Sequence, residues 1–444
     1  MRVLYVAAEA APLVKVGGLG DVAGSLPLAL KRLGVDVRVA IPWYPEIDVQ
    51  RWKVHEEGNV GVTTLGESDV PVYLLAREVF AETGEHKAIA GTKEEEAWFS
   101  GFSDCVVAFL KDSRWKPEIF HGNDWHVARA LTALEETSAE TLSAWGYTEK
   151  NFATILTIHN LSYHSKMLRD AILASDVINA VSPTYAKEIL TPEFCEGLCK
   201  ELGLRKDDLY GVLNGIDYGV WSPETDEKLT AKYTTVTWKT GKTHNKMAVR
   251  QQVGLSEDGG MLLGFVGRID ANQKGIGVLV EAMNRLVTLG CQVVVLGTGD
   301  PRYEKRLATV ATRYPKQVAC VLRYDETLAH RIYAGADALL IPSKFEPCGL
   351  IQLIGMRYGT LAIARAVGGL SDTIRDGETG FLFTAYSSSG LVGAVERAKG
   401  MFSSEPVQWE VMVGRAMRED FSWDRSAGEY VKLYDRAIEK SRRS

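Results

Sequence analysis

VLYVAAEAAPLVKVGGLGDVAGSLPLALKRLGVDVRVAI, residues 3–41, contains the plan on which the chain is built. Val3 to Ala7 is a short apolar run with β-branched residues, which reads as a buried strand. A glycine-rich turn follows, and then a helical period through Asp21, Leu26, Leu30 and Leu33. Val35 to Ile41 supplies a second strand, closed by Pro42. Strand, helix, strand in so short a span is a βαβ unit, and a βαβ unit demands a parallel sheet.

The same alternation extends outward. Buried strands are expected at Val72 to Leu75, Ile119 to Phe120, Ala153 to Ile158 and Val177 to Val181, with a helix over Phe99 to Leu110. After Asn214, Gly215, Ile216 and Asp217 the pattern lapses into a polar stretch, Ser222 to Asn245, where the hinge and linker are expected. Alternation then restarts with strands at Leu262 to Val266, Gln292 to Leu296, Val318 to Leu322, Ala338 to Ile341 and Leu361 to Ala364, and a final edge strand around Gly380 to Leu382. Helices are expected at Gly275 to Leu289 and Tyr303 to Thr312. The fold class is therefore α/β, as two Rossmann-like domains, 1–216 and 217–424, whose parallel sheets face each other across a deep cleft.

Length agrees, because 444 residues exceed what one hydrophobic core of roughly 250 to 300 residues serves. A net charge of -6 argues against a nucleic-acid partner, which asks for a basic face. The six cysteines, at 105, 195, 199, 291, 320 and 348, lack the paired spacings of a zinc site, so reduced thiols and no metal are expected. Glu9 interrupts the opening apolar run before a signal-peptide core forms, and no apolar run approaches the roughly 20 residues of a membrane span. A cytoplasmic protein without membrane association is the expectation.

Ligands of open α/β sheets bind beyond the carboxyl ends of the strands. The first such loop is Lys15-Val16-Gly17-Gly18-Leu19-Gly20-Asp21, whose adjacent glycines, following helix and cation suit a phosphate. Taken alone, it serves equally as a tight turn carrying a surface lysine. Its glycines do not follow the Gly-x-Gly-x-x-Gly order of a nicotinamide site, nor does it end in the Gly-Lys-Ser/Thr of a P-loop. Arg268 and Lys274, just past the first strand of the second domain, suit a diphosphate leaving group, or are two surface cations on a connection. Glu346, in Phe345-Glu346-Pro347-Cys348-Gly349-Leu350, suits sugar hydroxyls or a positive anomeric carbon, or is an acid at a helix start. The amides of Gly349 and Leu350, beside Cys348, are placed to meet phosphate or sugar oxygens. His159 at a strand end, Asp124 and Trp125 are residue types that also fill plain structural roles.

Several segments in one order carry a resemblance. AAEAAPLVKVGGLGDVAGSLPLAL at 7–30, HGNDWH at 121–126, IHNLSY at 158–163, VSPTYAKEI at 181–189 and LNGID at 213–217 occupy the first half. GRIDANQKG at 267–275, PSKFEPCGL at 342–350, VGGLSDT at 367–373 and FSWD at 421–424 occupy the second. Together they resemble bacterial glycogen synthases and plant starch synthases over the whole chain. The resemblance implies a GT-B fold, a C-terminal helix (425–444) returning to the first domain, and no cofactor. It implies glucosyl transfer from ADP-glucose to the non-reducing end of an α-1,4-glucan with retention, the leaving phosphate taking the acceptor proton. By the same resemblance His159, Arg268, Lys274 and Glu346 are catalytic. Lys15, Gly18, Asp21, Asn214, Tyr324, Cys348, Gly349 and Leu350 bind the donor, with Tyr324 stacking on adenine, and Glu9, Asp124 and Trp125 contact sugar or acceptor.

The chain departs from the family pattern at Val16 and in one shortened stretch, while Ile354 follows it. Val16 stands where the family usually has threonine, and Ile354 removes the second glutamate found in many other retaining GT-B enzymes, as in the synthases themselves. The stretch between Leu161 and Val181 is shorter than usual, which bears on acceptor recognition. Two other functions fit the same residues: a related retaining transferase using UDP-glucose or a small acceptor, and a catalytically silent α-glucan-binding protein. Donor preference, glucan length, oligomeric state and regulation are not written in the sequence.

Overall fold

The computed structural model describes residues 1–81, 92–147, 152–163 and 166–442; part of the shortened stretch after Leu161 thus lies outside the described residues. The chain divides into two compact units, Met1–Gly215 with Ser422–Ser444, and Ile216–Phe421.

Among the described residues the first unit holds nine strands: β1 (Arg2–Val6), β2 (Asp36–Pro42), β3 (His55–Glu57), β4 (Val60–Thr64), β5 (Pro71–Leu75), β6 (Ile119–Asn123), β7 (Ala153–Ile158), β8 (Val177–Ala180) and β9 (Leu209–Gly211). Their order is β3-β4-β5-β2-β1-β6-β7-β8-β9, parallel from β5 to β9, with β3 and β4 added antiparallel at one edge. Sequence reading missed β3 and β4. In β3 His55, Glu56 and Glu57 are all exposed and polar, so no apolar alternation marks it. Central strands β6 and β7 are buried throughout, as a sheet covered by helices on both faces requires. The C-terminal helix Trp423–Ser441 belongs to this unit. Its buried stripe, Trp423, Ala427, Tyr430, Tyr434 and Ala437, recurs every three or four residues, and Ser422 caps its start by accepting from Arg425 N. Tyr434 Oη bonds His121 Nδ1 at 2.9 Å, and Asn179 Nδ2 donates to Tyr430 Oη at 3.2 Å.

The second unit holds six parallel strands: β10 (Leu262–Val266), β11 (Gln292–Leu296), β12 (Val318–Val321), β13 (Ala338–Ile341), β14 (Leu361–Arg365) and β15 (Gly380–Phe383), in the order β12-β11-β10-β13-β14-β15. That is the doubly wound order, with the chain reversing direction beside β10, where such sheets bind ligands. Helices Ile276–Thr288, Glu326–Gly335 and Ser388–Ser404 pack on it through Leu279, Met283, Ile332 and Leu391, each sealed from water. Burying one such side chain contributes about 1.5–3 kcal/mol.

The expectation of a linker over Ser222 to Asn245 is corrected, because Trp238–Val253 is a helix of the second unit. It is polar because polar groups, not an apolar stripe, fasten it. Lys242 Nζ donates to Ala334 O (3.0 Å) and Ala336 O (2.9 Å), and burial pushes its ammonium down to about 7. Asn245 Nδ2 donates to Ala231 O (2.7 Å), and Arg250 Nη2 to Gly260 O (2.7 Å). The expectation of reduced thiols is likewise corrected at Cys195 and Cys199. These form a disulfide across Glu196 and Gly197, whose φ values of 47° and 83° fold the chain back so that the two sulfurs meet. Among the described residues Cys105, Cys291, Cys320 and Cys348 form no disulfide. Among the described residues no helix is long and apolar enough to cross a membrane.

Candidate active site

In the first unit the expected residues gather where β1, β6 and β7 end. Glu9 lies in the loop after β1 and is 2 % exposed. Its carboxylate accepts the backbone N–H groups of Val16, Gly17 and Gly20, and so folds the glycine loop around itself. Burial lifts its pKa, and the three amide hydrogen bonds oppose the lift. In this structure both oxygens of Glu9 accept from the loop, so those three amides are turned inward on Glu9. Gly18 differs from its neighbours. It has no positive φ, and a Cβ added there meets nothing within 4 Å, so neither backbone conformation nor packing requires glycine. Lys15 Nζ pairs with Asp21 Oδ1 at 2.6 Å, both side chains being nearly half exposed.

Asp124 follows β6 at φ 54°, ψ -170°, a region that costs a non-glycine residue about 1–3 kcal/mol. Its Oδ1 accepts from the backbone N–H of His159 (2.6 Å) and of Asn160 (3.4 Å), the loop after β7. Burial raises its carboxyl to about 7 against those two amides. The strained backbone and the tight amide contact together fix the position of His159, whose Nε2 meets Asn123 Oδ1 at 2.9 Å. Burial pushes the His159 imidazolium down to about 3, so the ring is neutral at physiological pH. Asn214 is buried, and its Oδ1 has no hydrogen-bond partner among the described residues, a cost that a bound hydroxyl would relieve. Trp125 is 1 % exposed and packed at 5.2 Å against Phe99 and at 4.3 Å against His126.

In the second unit, Arg268 follows β10, and its Nη2 donates to Gln273 Oε1 at 3.0 Å. Asp270 Oδ1 accepts from Asn272 N (2.6 Å) and Gln273 N (3.1 Å), closing the turn that carries the chain to Lys274. Gly275 then opens the helix at φ 66°, and a Cβ there would lie 1.8 Å from Pro342 O, so only glycine fits. This close approach joins the Lys274 turn to the loop after β13. Lys274 Nζ consequently donates to both oxygens of Glu346, at 2.9 and 2.8 Å, and Ser343 Oγ donates to Oε2 at 2.9 Å. Glu346 is 4 % exposed; its buried charge is tolerated because it is paired and hydrogen-bonded.

Beyond Glu346 the chain turns at Gly349, φ 74°, into the helix Ile351–Arg357. Gln352 Nε2 holds Cys348 O (3.0 Å) and Gly349 O (2.9 Å). In a trans peptide the N–H points opposite the C=O, so this grip turns the N–H groups of Gly349 and Leu350 away from Gln352. Neither has an acceptor among the described residues. Gly369 N donates to Glu346 O at 3.1 Å, and a Cβ on Gly369 would sit 2.2 Å from Cys348 O, which ties the Gly368–Thr373 helix to the same loop. Tyr324, after β12, is 80 % exposed and leaves its ring open to a planar ligand. Sequence reasoning passed over Asn123, Ser343, Gln352 and Gly369. All four lie in or beside quoted motifs, but their partners come from other strands or across turns that no spacing reveals.

Known proteins are similar to this chain over nearly its whole length. Residues 2–202 match the family model of the starch synthase catalytic domain, and residues 260–399 that of group 1 glycosyl transferases. The chain is 36% identical to glycogen synthase of Thermotoga maritima over 493 positions, covering 99% of each, and 36% identical to glycogen synthase 1 of Synechocystis over 478 positions, covering 99% of this chain and 96% of the relative. Both alignments are longer than the chain, so these relatives carry stretches it lacks. Among solved structures, the catalytic domain of starch synthase IV from Arabidopsis thaliana, bound to ADP and acarbose, is similar with a TM-score of 0.87 and 31% identity, covering 98% of this chain and 99% of that one.

Proposed function

Because the chain belongs to the glycogen and starch synthase family of glycosyltransferases, we propose that it moves glucose from ADP-glucose onto the non-reducing end of an α-1,4-glucan with retention of configuration. The observation that carries this reading is the Lys274–Glu346 pair beside Arg268 and the two outward amides of Gly349 and Leu350. Cations and amides collected at the ends of the neighbouring strands β10 and β13 stabilise a departing diphosphate. The carboxylate they flank offsets positive charge at the anomeric carbon. The bond from C1 to the β-phosphate oxygen breaks, the acceptor 4-hydroxyl oxygen bonds C1 on the same face, and its proton passes to the leaving phosphate.

We assign Lys15 and Gly18 to the donor phosphates with Asp21, paired to Lys15, close by, Tyr324 to the adenine face, and His159, Asp124 and Asn214 to the transferred glucose. Gly18 supports its assignment, since the close approach of a ligand is the remaining reason for glycine there. ADP rather than UDP is proposed from the ADP held by the Arabidopsis relative. Initial rates on maltooligosaccharide with each donor test this. ADP-glucose is expected to give at least about tenfold higher kcat/KM; a faster reaction with UDP-glucose overturns the donor assignment, and a β linkage in the product overturns retention.

A further inference from the structure

Asn123 is the last residue of β6, between β1 and β7, and its carboxamide is pinned from both sides. Nδ2 donates to Val6 O at 3.0 Å and, more weakly, to His121 O at 3.5 Å. Oδ1 accepts from Tyr5 Oη at 2.9 Å and faces His159 Nε2 at 2.9 Å. Turning the amide over would set its oxygen against two carbonyl oxygens, neither of which has a proton to give, so its orientation is fixed. An amide oxygen only accepts. The imidazole nitrogen facing it at 2.9 Å must therefore be the one bearing hydrogen, because two opposed lone pairs at that distance repel.

We infer that Asn123 is a positioning residue that holds the imidazole proton of His159 on Nε2 and leaves Nδ1 a bare acceptor for a hydroxyl of the transferred sugar. The inference rests on the reading of His159 as a sugar contact. Among the described residues Nδ1 has no hydrogen-bond partner. Burial keeps the ring neutral, so a second proton does not fill Nδ1 at physiological pH. The consequence is selective. A bare Nδ1 welcomes an O–H donor and repels a phosphate or carboxylate oxygen, so His159 takes no part in holding the diphosphate and is not a general acid. Asn123 thereby selects a donor sugar with a hydroxyl at that position over one carrying an anionic group there. Tyr5, also bonded to Oδ1 and sealed in the core, keeps the amide from rotating.

The test is the nitrogen spectrum of the full-length protein labelled with 15N-histidine at neutral pH, with the His159 signals identified by their loss in His159→Gln. The expected result is a protonated Nε2 and an unprotonated Nδ1; a protonated Nδ1 overturns the inference, whatever the variants at Asn123 do. In Asn123→Ala, the expected result is redistribution of the proton between the two nitrogens, with kcat lowered by about tenfold or more. A folded Asn123→Ala that keeps the proton on Nε2 and full kcat overturns the positioning role. Saturation with ADP-glucose, verified by calorimetry, should shift the Nδ1 resonance. If the proton sits on Nε2 and Nδ1 does not respond to bound donor, the sugar contact fails while the tautomer assignment stands.

Discussion

Asp124 shows how one side chain is held against its own preference. Its carboxyl has a folded-state pKa of about 7 against an ordinary 3.8, driven by burial, so between these values the folded protein binds a proton that the unfolded chain has released. The stability contributed by this group is therefore complete below about pH 4 and is lost as pH rises through about 7. Glu9, also raised, acts in the same direction. Asp124→Asn retains an oxygen for the amides of His159 and Asn160 but never ionises. The melting temperature of the variant relative to wild type should rise between about pH 5 and about pH 8; a difference that is flat or falls shows that Asp124 is not ionising in a buried site. Much of this was legible in advance as residue identity and little as role. Asp124, His159, Lys274 and Glu346 were picked out, while the burial of Glu9 and Trp125 left no mark in the sequence. Motif position says that a residue is near a site, but only packing says whether its polar atoms or ring faces are already taken.

At the scale of elements, the glycines at the two strand ends separate structural need from ligand need. Gly275→Ala forces a side chain into φ 66° and onto Pro342 O, and should destabilise the second unit by about 3 kcal/mol or more while displacing Lys274. Gly18→Ala meets nothing in the protein and should leave thermal stability unchanged or slightly raised, yet raise the donor KM by about tenfold or more. Melting curves read with donor kinetics check both; a Gly18→Ala enzyme with normal donor KM shows that no ligand approaches that turn. Strands and helices with strong apolar periods were legible, as β10, β11 and β13 agree with their sequence expectation residue for residue. The helix Trp238–Val253 was not, because Lys242, Asn245 and Arg250 anchor it through hydrogen bonds to distant carbonyls, which leave no period in the sequence.

At the scale of the molecule, the alternation of strands and helices written twice is what made two sheets foreseeable, and a relative 36% identical over 99% of its length shares the plan. The first unit is completed only by residues from the chain's end. Tyr434 is buried there and bonded to His121, which bonds Thr157 on β7, two residues before His159. Tyr434→Ala should lower stability by about 3–5 kcal/mol in denaturant unfolding; a loss below about 1 kcal/mol would mean that the helix Trp423–Ser441 is not integral to that unit. The proposed transfer depends on where a nucleotide sugar's diphosphate is held. A crystal structure of the protein with ADP bound measures this directly. The account predicts diphosphate oxygens within about 3 Å of Lys274 Nζ, the Arg268 guanidinium and the amides of Gly349 and Leu350; ADP bound elsewhere, with Lys274 still closed on Glu346, contradicts it.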